Sequence, residues 1–139
     1  MNQTAILWPM IGHFALVFII YVLLAWRRRV AMQSGSARPD QFKLRRHEPE
    51  GSASAANNLM NQFELPVLFH VLCLALFVTN GVSYLMVALA WLFVLLRYVH
   101  AYVHVTSNDL RYRSPLFAAG FVVLVVMWAL FALHLSGAG

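Results

Sequence analysis

Apolar residues run along this chain in four long stretches, at about 5–25, 57–78, 82–105 and 115–135. Each is close to the roughly 20 residues an α-helix needs to cross a bilayer. Between them lie a polar segment at 26–56, a tight "TNG" turn at 79–81 and a short hydrophilic loop at 106–114. The pattern predicts an all-α protein: one integral membrane domain over residues 1–139, built as a bundle of four transmembrane helices, with little chain left for a soluble domain.

Composition agrees, with 61% hydrophobic and 11% charged positions, against roughly 45–50% and 25% in soluble globular chains. A cleaved secretory leader is disfavoured, because "MNQT" carries no Lys or Arg and "RRR" at 27–29 follows the apolar run, the reverse of a signal peptide's charge order. The first stretch is expected to be a retained helix.

Charge then orients the bundle. Seven of the ten Lys and Arg fall in 26–56, two in the loop after the third helix, and Arg97 lies inside an apolar run. The other face has none. The positive-inside rule predicts that both hydrophilic loops are cytoplasmic and both termini outside. Trp8, Trp26 and Tyr84 fall where interfacial aromatic anchors belong. The pI of 10.0 therefore reflects membrane orientation and attraction to anionic lipid headgroups, not nucleic-acid binding. Within 26–56 the first half is basic and amphipathic, whereas "EPEGSASAANN" reads as flexible linker. The lone Cys73 has no internal disulfide partner and reads as a small buried apolar residue.

Candidate chemistry lies with the ionisable residues inside the apolar stretches, which tend to face the bundle interior because exposure to lipid is expensive. At about 100° per residue, Arg97, His100 and His104 fall within about 60° of one another on the third helix. Counting from the cytoplasmic ends of helices two and three places Glu64 level with Arg97, predicting an ion pair, with Asn61 near His100 and Asn57 near His104. Tyr98 and Tyr102 flank the stripe, and Asn108, Arg111, Arg113 and Ser114 continue it to the membrane boundary. So many cations against one intramembrane acid suit an anionic ligand, although a polar contact gluing helices together needs some of the same residues. Ser114 before Pro115 also reads as the N-cap and first turn of helix four. His100 and His104 have no third residue spaced to complete a metal site, so no metal is assigned. His13, His70 and His134 read as packing or interfacial residues.

"NQFELPVLF" at 61–69 and "RYVHAYVHVTSNDLRYRSPLF" at 97–117, in a four-helix membrane chain of this length, resemble the MAPEG family, membrane-associated proteins in eicosanoid and glutathione metabolism. The resemblance covers helices two to four and looks most like the bacterial-type members, implying a bacterial inner membrane. It implies a homotrimer with glutathione held between neighbouring subunits near the cytoplasmic side. Asn61 and Glu64 stand at the family's Asn-x-x-Glu glutathione pair, and Arg97-x-x-His100 and Arg113-Ser114 match helix-three motifs of the prostaglandin synthase. The site so implied has Asn61, Glu64, Arg97, His100, Tyr102 and His104 binding glutathione. Arg113 comes first, with Ser114 and Arg111, as activator of the thiol. Where glutathione-binding members usually carry Arg four residues before the Asn, this chain has Asn57.

The implied function is a glutathione-dependent transferase or peroxidase acting on small lipophilic electrophiles. In such a site a cation or hydroxyl donor beside the sulfur lowers the thiol's pKa from about 8–9 and makes thiolate available near neutrality. The alternative is a non-catalytic membrane binding or scaffold protein of the same fold. Small four-helix multidrug exporters are similar in size, but their essential acid lies in the first helix, where this chain has none.

Overall fold

The computed structural model describes residues 1–137, the side chain of Arg45 excepted. Its long helices are α1 (Leu7–Gln33), α2 (Glu50–Asn61), α3 (Leu65–Val78), α4 (Tyr84–Val105) and α5 (Leu110–Leu135), with α2 and α3 in tandem forming the second of four spans. Each span is long and apolar enough to cross a membrane. The all-α, four-span architecture expected from the hydropathy pattern is therefore present.

Local chemistry explains the helix ends. Asn2 accepts the Thr4 N–H at 3.0 Å to start the single 3-10 turn that leads into α1. Ser83 accepts the Met86 N–H at 3.2 Å at the start of α4, and Asp109 accepts the Arg111 N–H at 2.9 Å at the start of α5. The "TNG" turn closes α3 as a Schellman motif: Asn80 takes the left-handed conformation at φ 55° and the Gly81 N–H reaches the Leu76 carbonyl at 2.8 Å. Asn tolerates that conformation better than most residues with a side chain.

Three expectations about boundaries are corrected. The second span is not one helix over 57–78 but breaks at residues 62–64, where Glu64 sits at φ −100°, ψ −105°. Pro66 is the cause, since it has no N–H for the Gln62 carbonyl four residues back and its ring crowds that carbonyl. Residues 50–56 are helical, not linker: Ser52, Ala55, Asn58 and Leu59 are buried at helical spacing, and α2 packs along α1. Small side chains permit that approach. The hydrophilic loop thus shrinks to 34–49, and Arg27, Arg28 and Arg29 ride on the last turns of α1. Finally, α5 begins at Leu110 with Asp109 as its cap, so Ser114 is not an N-cap and Pro115 lies inside the helix.

The two ends of the bundle are tied differently. At one end the Val82 N–H donates to Gln3 Oε1 at 3.0 Å, and His134 Nε2 lies 3.2 Å from the Thr79 carbonyl. At the other, Arg27 donates to Ser54 Oγ at 2.8 Å and to the Val105 carbonyl at 2.6 Å, joining α1, α2 and α4. Helix α4 is central, packing on α1, α2 and α5. Near the Gln3 end, Phe69, Leu72, Leu76, Met127 and Phe131 form a core around the stacked Phe69–Phe93 pair, whose ring centroids are 4.6 Å apart. A smaller core at the Arg27 end contains Leu16, Ile20, Leu24, Ala55, Leu59 and Ala101. Gly12 lets α1 and α4 approach: a Cβ there would lie 3.0 Å from the Trp91 ring, and its carbonyl accepts the Tyr98 hydroxyl at 2.9 Å. The outward faces remain apolar, with Phe14, Phe18, Val71 and Leu95 among the exposed residues, as lipid contact requires. Exposed Trp8 and Trp26 on α1 are separated by about 27 Å at 1.5 Å per residue, close to a hydrocarbon core of about 30 Å.

Arg28 grips the loop. It makes a bidentate pair with Glu48, at 2.9 Å and 2.6 Å, beside the Ser52 hydroxyl, and its guanidinium lies 5.2 Å from the Phe42 ring centroid. Arg28→Ala is expected to release residues 34–49 while leaving the four spans folded, because Glu48 then loses a charge-assisted bidentate partner. Limited proteolysis in detergent checks this: cleavage within 34–49 should accelerate several-fold with unchanged helix content by circular dichroism.

Candidate functional site

The helix-three stripe points inward. Arg97, His100 and His104 on α4 are all buried, Arg97 at 1% exposure. What they meet is the break in the second span. With its regular ladder interrupted, the Asn61 carbonyl accepts from Arg97 Nη2 at 3.3 Å, and Gln62 Oε1 accepts from the same nitrogen at 3.4 Å. Arg97 Nε and Nη1 have no hydrogen-bond partner. Its guanidinium carbon lies 6.0 Å from the Phe117 ring centroid on α5, an added but weak cation–π contact.

Gln62 is the junction of a hydrogen-bonded chain through the bundle. Its Oε1 lies 3.1 Å from His13 Nε2, and His13 Nδ1 lies 3.0 Å from His70 Nε2. Its amide nitrogen donates to Asn58 Oδ1 at 3.0 Å. Asn58 Nδ2 and Asn61 Nδ2 approach His104 Nδ1 at 3.2 Å and 3.4 Å. His100 packs edge-on against His104 and tilted against Phe117, and its Nδ1 is buried without a partner.

A cleft of about 230 Å³ opens beside this chain, lined by Asn61, His100, Arg113, Ser114 and Phe117. Arg113 reaches it from the first turns of α5 and donates to Asn108 Oδ1. Asn108, at φ 50°, makes the turn that brings the arginine back toward α4. The structure thus gathers Asn61, His100, Arg113 and Ser114 around one opening, with Arg97 and His104 bonded to the Asn61 side of it. The Arg113 guanidinium and Ser114 on the wall of the cleft, with the buried Arg97 bonded behind Asn61, are suited to an anionic group, above all a carboxylate or thiolate.

Other expected site residues stand elsewhere. The Glu64–Arg97 ion pair is absent: Glu64 is exposed and lines a separate groove of about 430 Å³ with Tyr21, Leu59, Met60 and Phe63. The expected level match assumed an unbroken helix, and the break turns Glu64 outward. Tyr102 is 69% exposed on the outer face of α4. Arg111 is also outside and paired with Asp109, Nη2 to Oδ2 at 2.9 Å; those bonds to Arg111 hold the Asp109 carboxyl below the usual carboxylate range. Asn57 is exposed, and Asn58 holds the place against His104 that counting assigned to it. Among the described residues no group of three or more His, Cys, Asp or Glu comes together as a metal site.

Sequence reasoning missed Asn58, Gln62 and Phe117, and it left His13 and His70 without polar company. The available signal was Pro66, which marks the four residues before it as broken backbone, together with the four-residue spacing that puts Asn58 and Gln62 on one face.

No curated protein matches this chain, and no solved structure matches it. The model of the MAPEG family matches residues 5–133, nearly the whole length and all four spans, and the chain belongs to the MAPEG family.

Proposed function

We propose that this membrane protein is a glutathione-dependent transferase or peroxidase acting on small lipophilic electrophiles, with glutathione seated at the Asn61–His100–Arg113–Ser114 cleft. The observation that carries the reading is Arg97: a charge buried to 1% exposure with two nitrogens unpartnered is costly by itself and becomes favourable when an anion meets it. Family membership supports the thiol chemistry. Asn61 supplies an amide on the wall of the cleft. Arg113, half-exposed at its mouth, is the donor that would hold the sulfur as thiolate, and Ser114 is a second. Arg111 is turned away and takes the lesser part.

The proposal includes a homotrimer in which neighbouring subunits complete the site. Glu64 and Tyr102 support that reading, because both are polar groups on outward faces of the single chain, where a second copy would meet them.

Calorimetric binding of glutathione in lipid nanodiscs, with conjugation of a generic aromatic electrophile and peroxide reduction, tests the function. Wild-type protein should bind at millimolar glutathione or below and turn over. Arg113→Ala should lose on the order of a hundredfold in turnover while keeping most of its affinity, since a donor that meets developing charge acts mainly on the reactive state. No binding would remove glutathione, consistent with Asn57 in place of the usual Arg. Binding without turnover would favour the scaffold or receptor reading.

The orientation is proposed with it: both termini outside the cytoplasm of a bacterial inner membrane, the Arg27 end of the bundle inside. A fusion after Gly139 should make alkaline phosphatase active and green fluorescent protein dark. The opposite pair of results would reverse the topology.

A further inference from the structure

A second cavity, of about 460 Å³, lies between α1 and α3, away from the Arg113 cleft. Its walls are apolar, including Phe14, Val67 and Leu74, all exposed on the outward surface. Its floor is polar: His13, Gln62 and His70. An apolar groove with a histidine floor differs from plain lipid contact, and the hydrogen-bonded chain dictates what that floor offers.

The chain has one self-consistent direction. Arg97 has only N–H groups, so Gln62 Oε1, at 3.4 Å from it, is an acceptor. Flipping the amide would set its NH₂ against a guanidinium and its oxygen against Asn58 Oδ1, losing both bonds. His13 Nε2, facing that same oxygen at 3.1 Å, must therefore carry the proton. Neutral His13 then presents Nδ1 as an acceptor, and His70 Nε2, 3.0 Å away, is its donor. A neutral His70 with its proton on Nε2 has Nδ1 left as a bare acceptor. No hydrogen bond engages that nitrogen among the described residues.

We propose that the α1–α3 groove is a binding site for a neutral lipophilic alcohol or phenol whose O–H donates to His70 Nδ1. The apolar walls take the hydrocarbon part and the acceptor selects the hydroxyl. At His70 Nδ1 the ester carbonyls of ordinary lipids, being acceptors, gain nothing and a carboxylate meets a lone pair; Tyr21, which also lines the groove, is the donor such groups could reach instead. The site is independent of glutathione, so the thiol reading and this one fail separately.

The test uses para-nonylphenol and its methyl ether, which differ in the donor alone, with protein in lipid nanodiscs. The phenol should bind saturably and about tenfold more tightly than the ether, the range of one net hydrogen bond. In spectra of isotope-labelled histidine, His70 Nδ1 should be unprotonated and should shift with phenol but not with ether. His70→Phe should bind the two alike, and Leu74→Trp, which fills the groove and leaves the histidine pair intact, should lose both. Equal affinity of wild-type protein for phenol and ether, a preference that survives His70→Phe, or a proton on His70 Nδ1 would overturn the proposal. So would absence of binding, or a crosslink across Leu74 showing that a second copy of the chain covers the groove. If His70→Phe does not fold, the wild-type spectra decide.

Discussion

Arg97→Met is expected to make the protein more stable and to abolish anion binding. Arg97 is buried, its two hydrogen bonds are long at 3.3 Å and 3.4 Å, and its remaining nitrogens are unpartnered. Replacing a poorly compensated buried charge by an apolar side chain of similar length is commonly neutral or favourable, here on the order of 1–3 kcal/mol. Gln62 Oε1 keeps His13 as a donor, and the freed surface faces Phe117 and the interior of α4–α5. Thermal unfolding in detergent without glutathione should show a raised Tm, and added glutathione should no longer raise it further. A large fall in Tm would mean that Arg97 is fully paired in the assembled protein. The expectation differs from that of an ion pair, for which removing either partner destabilises. By the same reasoning Glu64→Gln should lower Tm far less than breaking a buried ion pair would, because Glu64 is exposed and acts on Arg97 only through its charge at longer range, with no direct ion pair between them.

Gln62→Leu is expected to have the opposite sign and a larger magnitude. Gln62 is 2% exposed and its side-chain amide bonds His13, Arg97 and Asn58. Leucine has similar volume but leaves three buried polar groups each short of a bond, at about 1–3 kcal/mol apiece. These losses will not add fully, since Asn58 and His104 can reorganise, so a total of roughly 3–5 kcal/mol is expected. Chemical unfolding of the variant in detergent measures it. The double variant with Arg97→Met should recover part of the loss, since one of the three groups is then gone. Strict additivity of the two changes would show that Gln62 and Arg97 do not interact.

How the site could be read from sequence follows from where each residue lies relative to the break. Arg97, His100 and His104 sit on an uninterrupted helix, so angular counting places them on one buried face correctly. In the second span counting fails twice: Glu64 lies in the break before Pro66 and is turned out, and within the unbroken α2 a count of height alone picks Asn57 where Asn58, one residue on, faces His104. His13 and His70 looked solitary because their partners come from other spans, 57 and 49 residues away along the chain for His13. The small-residue run at 50–56 reads as linker by composition because nothing in it advertises α1, the surface that buries Ser52 and Ala55 and makes the helix worthwhile.

By itself the sequence determined that the chain crosses the membrane four times as helix, that its bases crowd one end, and that the "TNG" turn closes the second span tightly. These follow from length, hydropathy and residue chemistry acting over a few turns, where every backbone group must be satisfied within its own segment. The tertiary structure alone decided which polar groups meet. Helix packing chooses angular registers between spans, Pro66 resets the register in the middle of one of them, and hydrogen bonds select partners to within a few tenths of an ångström, a scale at which one residue of slip exchanges Asn57 for Asn58.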